Sequence, residues 1–117
     1  EFSVEQVHPE TSSAADEGWL MKYSVAGFKP RSCYRHRRGD ARTGQCVFSD
    51  GLASISLFFS PVGTQRRMRA GWSSQGATHA LSQRWPDAEG AWWVTLIGEV
   101  PMQTLQLLFD GLDREER

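Results

Sequence analysis

The sequence predicts an α+β domain: an antiparallel sheet of about five to six strands with one carboxy-terminal amphipathic helix packed on it. Three observations predict it. Apolar residues recur at every second position in several short segments between Trp19 and Ile97. Those segments lie close together along the chain, so hairpins connect them naturally. After Pro101 the apolar spacing changes to threes and fours.

Taken in order, the polar and acidic stretch up to Gly18 lacks the bulky apolar groups needed to offset the entropy of ordering. Residues 1–18 are therefore expected to be an acidic flexible linker, with Glu1-Phe2 a cloning remnant and the piece itself excised from something longer. Folded structure is expected from Trp19 to Asp113. In Leu52–Phe59 the set Ala53, Ile55, Leu57 and Phe59 faces one side and Ser54 and Ser56 the other, which is a half-buried strand. Asp50-Gly51 before it is expected to form a bulge or kink. Arg67–Trp72 alternates with arginines outward and Met68, Ala70 and Trp72 inward. Ala77–Arg84 and Trp92–Ile97 are two further strands, divided by the turn-rich segment Pro86–Gly90. Pro101 suits the start of a helix, and Met102, Leu105, Leu108, Phe109 and Leu112 mark its buried face. Gly111 is expected at a fraying helix end, with residues 113–117 mobile and 114–117 a charged tail.

The formal net charge of −1 conceals a polarised chain. Residues 1–17 carry five acids and no Lys or Arg; residues 18–84 carry eleven cations against Asp40 and Asp50, a net of +9; residues 85–117 return to −5. Eleven of the thirteen cations are arginine, whose planar fork pairs with carboxylates and phosphates at two points. The longest apolar runs, such as Leu57-Phe58-Phe59, fall far short of the roughly 20 residues a membrane-spanning helix needs.

Cys33 and Cys46 are the two cysteines, and the turn-prone stretch Gly39–Gly44 lies between them. If the chain reverses there, the two are cross-strand neighbours within disulfide range, which would place the protein in an oxidising compartment. The alternative is two buried free thiols. With no CxxC nearby, no metal site is expected. Nor is a cofactor.

Catalytic chemistry is poorly supplied. His8 lies in the linker, His36 stands among Arg35, Arg37 and Arg38 with no acceptor to orient it, and His79 reads as a structural strand histidine. No HExxH, GxSxG, phosphate-binding loop or dinucleotide fingerprint occurs, so no enzyme is expected. Tyr34–Arg38 and Arg66–Arg69 with Trp72 and Trp85 mix cations with aromatics, as single-strand nucleic-acid binders do. The flanking acids and a pI of about 6.3 argue against that partner.

The stretch Phe48-Ser49-Asp50-Gly51-Leu52-Ala53-Ser54-Ile55-Ser56 resembles the "Y-S-D-G-L-x-S-F-S" strand of the MucB/RseB family, periplasmic regulators of the envelope-stress sigma factor. Gly76-Ala77-Thr78-His79-Ala80 resembles that family's glycine-led strand. Val94–Pro101 resembles its "V-T-V-V-G-E-L-P" segment, and Gln103-Thr104 follows as in members reading "P-P-Q-T". Upstream, Tyr23–Phe28 aligns with "W-L-P-x-G-F", though Tyr23 and Val25 depart from the usual Trp and Pro. The resemblance covers residues 19–112 and only the family's smaller carboxy-terminal domain. It implies that the larger amino-terminal, lipoprotein-carrier-like domain is missing and that residues 3–18 belong to the interdomain linker.

The resemblance further implies a non-enzymatic periplasmic function. The intact protein would bind the periplasmic part of a membrane-spanning anti-sigma factor, protect it from proteolysis, and respond to lipopolysaccharide or other anionic lipid. On that footing Arg35, Arg37, Arg38, Arg66, Arg67 and Arg69 are the expected partner-binding residues, because they concentrate the +9 segment. Packing and solubility are the competing roles for them. In an alternative reading, Trp72, Trp85, Trp92 and Trp93 line an amphiphile pocket between sheet and helix.

Overall fold

Alternation along the strands decides which side of the sheet is buried, and one row of registered residues shows it. The computed structural model describes residues 10–12, 18–23, 25–38, 41–62, 70–87 and 90–114. Its elements are β1 (Glu10–Ser12), β2 (Trp19–Met21), β3 (Lys29–Arg38), β4 (Ala41–Ser49), β5 (Ser54–Pro61), β6 (Gly71–Gln75), β7 (Thr78–Asp87), β8 (Gly90–Gly98), α1 (Met102–Gly111) and β9 (Leu112–Arg114). Cys33 on β3, Cys46 on β4, Leu57 on β5, Leu96 on β8 and Leu81 on β7 face one another in register, and all five are completely buried. The row ends at Trp72 on β6, which is 50% exposed.

The main sheet runs β1-β3-β4-β5-β8-β7-β6, antiparallel throughout. It consists of two meanders, β3-β4-β5 and β6-β7-β8, joined where β5 pairs with β8. The six longer strands and the single helix are the architecture expected, and β1 adds a short seventh strand. Ile55, Leu57 and Phe59 are buried while Ser54 and Phe58 are exposed, and Trp92, Val94 and Leu96 are buried along β8. Helix α1 lies over β7 and β8 on the buried face, where Leu105 and Leu108 close the core. Burying an aliphatic side chain of this size stabilises by about 1.5–3 kcal/mol.

The ends of the domain differ from expectation. Leu112 is not the last turn of the helix: it begins β9, which pairs with β2 as Trp19↔Arg114, Leu20↔Asp113 and Met21↔Leu112. Gly111 does not fray. It is buried, its carbonyl accepts from the Lys22 N–H at 2.7 Å, and a Cβ there would meet Met21 and Tyr23 at 3.0 Å. Asp113 and Arg114, expected in a mobile end, are therefore held in the small sheet, while residues 115–117 lie outside the described residues. Within the expected linker, Glu10–Ser12 form β1 against β3; residues 1–9 and 13–17 lie outside the described residues.

The strand expected at Arg67–Trp72 begins instead at Gly71 and runs to Gln75, while Arg67, Met68 and Arg69 lie outside the described residues. Ala70 and Trp72, expected to face inward, are exposed. The reason is position: β6 is an edge strand, and α1 lies mainly over β7 and β8.

Candidate binding surface

Two loops that the sequence marked with glycine are wired by hydrogen bonds. Asp50 accepts from the backbone N–H groups of Leu52 and Ala53 on Oδ1, both at 2.8 Å, and Ser49 Oγ accepts from the Gly51 N–H at 3.0 Å. Gly51 has φ +100°, a conformation a Cβ resists. The expected bulge at Asp50-Gly51 is thus a tight turn joining β4 to β5, closed by the pair Ser49↔Ser54. It leaves Leu52 at the tip 99% exposed. Beside it, Ala26 and Gly27 both have positive φ and the Phe28 N–H reaches the Val25 carbonyl at 2.8 Å, as in a type I′ turn.

The backbone N–H groups of Ala53 and then Leu52 hold the Asp50 carboxyl below its ordinary value of 3.8. Because the folded value is depressed, this contribution to stability is complete above pH 3.8 and is lost as pH falls through the folded value. Thermal melts between about pH 5 and pH 2 are expected to fall less steeply for Asp50→Asn than for the unsubstituted chain. Equal slopes would show that the turn carries no such linkage.

His79 is structural, as expected. Its Nδ1 lies 2.9 Å from the Val100 carbonyl oxygen, and a carbonyl only accepts, so that nitrogen carries the proton. The contact ties β7 to the segment entering α1. Gly98 ends β8 at the strand-to-helix transition, where a Cβ would meet the Ser54 carbonyl at 2.8 Å.

Cys33 and Cys46 form a disulfide between facing positions of β3 and β4, with Cα atoms 4.0 Å apart. It braces the base of the hairpin that carries the first arginine cluster. Arg35, Arg37 and Arg38 lie on the outer half of β3, in register with Gly44, Arg42 and Ala41. Arg37 pairs with Arg42 of β4. Arg35 pairs with Glu10 of β1 on its other side. Arg66, Arg67 and Arg69 lie outside the described residues, so their relation to this hairpin is not part of the geometry.

The tryptophans do not share one pocket lining. Trp85 and Trp92 are registered partners on the buried face, and Trp19 packs on both, with ring centroids 5.4 and 6.0 Å away. Phe59 completes the cluster at 5.6 Å from Trp19 and 5.7 Å from Trp92. Trp93 follows Trp92 in a strand and so faces the opposite side of the sheet. Trp72 stands at the β6 edge. Trp19 is the centre of an aromatic cluster that the sequence did not single out. Leu52 was missed as well, because an apolar residue beside Asp-Gly reads equally as the start of a strand.

On the side of the sheet away from α1, the described residues of β4, β5 and β8 are nearly free of charge. They are Thr43, Gln45, Val47, Ser49, Ser54, Ser56, Phe58, Ser60, Trp93, Thr95 and Ile97, of which Ser54 and Phe58 are exposed and Ser60 is buried. Ser82 and Thr95 share a hydrogen bond at 2.9 Å across β7 and β8, and Gln45 donates to Ser56 at 3.4 Å.

Comparison with known proteins places this architecture. A search of curated sequences finds no match. Among solved structures, a crystal structure of MucB in complex with MucA(peri) is 25% identical with a TM-score of 0.71, covering 86% of this chain and 37% of that one. The Pseudomonas aeruginosa MucA/MucB complex gives 25% identity and a TM-score of 0.71 over 86% of this chain and 36% of that one. A crystal structure of MucB alone, at 23% identity and a TM-score of 0.62 over 84% of this chain and 33% of that one, shares the fold. The chain thus spans little more than a third of the MucB chains it matches. The family model of the MucB/RseB C-terminal domain matches residues 13–113, which take in the strands from β2 to β8 and all of α1, and the chain belongs to that family.

Proposed function

We propose that this chain is a non-enzymatic periplasmic binding domain that helps hold the periplasmic part of an anti-sigma factor, protects it from proteolysis, and so restrains the envelope-stress response. The observation that carries this reading is the family match over residues 13–113, joined to a 25% identical fold solved in complex with MucA(peri). The disulfide supports an extracytoplasmic setting. Since the chain spans 37% of that MucB, the rest of the function would lie in an amino-terminal, lipoprotein-carrier-like domain.

Within this reading the arginines of the β3–β4 hairpin and of positions 66, 67 and 69 dock acidic side chains of the partner, and anionic lipid or lipopolysaccharide competes for the same or a coupled surface. The concentration of arginine in that hairpin, within a segment of net charge +9, supports an anionic ligand there. Contacts of this kind raise association rate and specificity and weaken with salt. Reversing Arg35, Arg37 and Arg38 to Glu, and separately Arg66, Arg67 and Arg69, is expected to weaken anti-sigma binding at least about tenfold at low salt and to flatten its salt dependence. Unchanged affinity and slope for both triple variants would remove the arginines from the interface. The amphiphile-pocket reading is less favoured, because Trp85 and Trp92 are packed against Trp19 and Phe59.

A further inference from the structure

The β6 strand is an edge built for pairing. All five residues, Gly71-Trp72-Ser73-Ser74-Gln75, are exposed, and among the described residues no strand lies beyond it. Natural edge strands are blunted by charged side chains, proline or bulges. β6 has none: its sequence is uncharged and free of proline, and its pairing with β7 is unbroken from Gly71↔Ser82 to Gln75↔Thr78.

The turn that ends β6 decides which backbone groups face outward. Gly76 and Ala77 form a two-residue hairpin loop with φ +62° at Gly76 alone, the pattern of a type II′ turn. In such a hairpin the flanking pair, Gln75 and Thr78, exchanges hydrogen bonds, and the pattern alternates along the ladder. Gln75, Ser73 and Gly71 therefore bond to β7, while Trp72 and Ser74 turn their N–H and C=O groups away from the sheet.

We propose that this edge captures an extended segment of the anti-sigma partner by strand addition, a reading that rests on the function proposed above. Three features select the occupant. An added strand would set a side chain beside Trp72, continuing the buried row Cys33–Cys46–Leu57–Leu96–Leu81–Trp72 by one position, so an apolar residue fits there. Between Gly71 and Trp85 the one Lys, Arg, Asp or Glu is Arg84, which is exposed, so an acidic residue fits at the Gly71 end. A second copy is the weaker candidate. Five paired residues with one large apolar side chain bury far less than the roughly 1,200 Å² of a specific stable interface, whereas a segment of a partner held elsewhere needs only a local contribution.

The test is hydrogen exchange on the 117-residue chain, alone and with the periplasmic region of its cognate anti-sigma factor, together with the affinity of Ser74→Pro. Proline at 74 removes an outward N–H and leaves the β7 ladder intact. The Trp72 and Ser74 amides are expected to exchange freely in the chain alone and become protected in the complex, and Ser74→Pro is expected to weaken binding about tenfold. Trp72→Ala should weaken it as well, guarding against a folding defect in the proline variant. Binding with no new protection at 72 and 74 and no loss in either variant would overturn the edge assignment and leave the anti-sigma reading standing. Absence of binding by the unsubstituted chain would overturn both. Protection at 72 and 74 that rises with protein concentration without the partner would assign the edge to a second copy instead.

Discussion

Replacing Trp19 with alanine is expected to destabilise the domain by about 3–5 kcal/mol, the range for emptying a large buried aromatic site. Trp19 is 1% exposed and sits at the centre of a four-ring cluster, tilted or edge-on to the other three, Phe59, Trp85 and Trp92. Edge-to-face pairs each contribute roughly 0.5–1.5 kcal/mol beyond burial. The loss also propagates along the backbone. Trp19 anchors β2, and β2 pairs with β9, the strand that closes the chain after α1. Amides of residues 112–114 should therefore exchange faster in the variant. Trp72→Ala is the internal comparison: its side chain is half exposed at an edge, and a change within about 1 kcal/mol is expected. Urea melts of the two variants decide the matter. A Trp19→Ala midpoint no lower than that of Trp72→Ala would mean that the aromatic cluster does not hold the domain together.

Removing the disulfide is the second large effect. Cys33 and Cys46 lie 13 positions apart, and closing a loop of that size stabilises by about 3 kcal/mol in the chain-entropy account. Both sulfurs belong to the fully buried row, so the double substitution Cys33→Ala, Cys46→Ala also leaves space where the bridge stood. A total loss of about 3–5 kcal/mol is expected, a large share of the 5–15 kcal/mol typical of a single domain. Urea unfolding with and without reductant measures it. Because the bridge is buried, reductant should act mainly through the unfolded chain, and the native protein should yield no alkylated thiol. Coincident melting curves would show that the hairpin holds its register without the bond.

The sheet and its buried side were legible because period-two alternation is a direct signal of a half-buried strand. Ile55, Leu57 and Phe59 fall on the side predicted, and the cysteine pairing follows from a reversal centred between them. Three kinds of feature were not legible. Glu10–Ser12 and Leu112–Arg114 are three-residue strands, too short to show any period; only their partners, β3 and β2, give them a conformation. Trp72 alternates as an inward residue would, yet local sequence does not say whether a strand lies in the middle of a sheet or at its edge. Asp50-Gly51 serves a bulge and a tight turn equally well, because a G1 bulge and such a turn both place a glycine at positive φ. One miss was avoidable: Trp92 and Trp93 are consecutive in a strand, and consecutive residues cannot line the same pocket wall.

For the proposed binding surface, the sequence marked charge but not shape. The β3–β4 hairpin places Arg37 opposite Arg42 and Arg35 opposite Glu10, relations that depend on register and so on the turn between residues 38 and 41. The unprotected β6 edge and the exposed Leu52 are likewise properties of topology. An uncharged edge and an arginine-rich hairpin suit the proposed role of gripping another polypeptide over more than one site. That is consistent with a piece spanning 37% of a MucB chain solved with its partner.

The most direct test of this account is a calorimetric titration of the cognate anti-sigma factor's periplasmic region into the 117-residue chain at low and at high salt. Saturable binding that weakens as salt rises is the result predicted. No saturable heat at any ionic strength, from a chain shown by its melting transition to be folded, would contradict it.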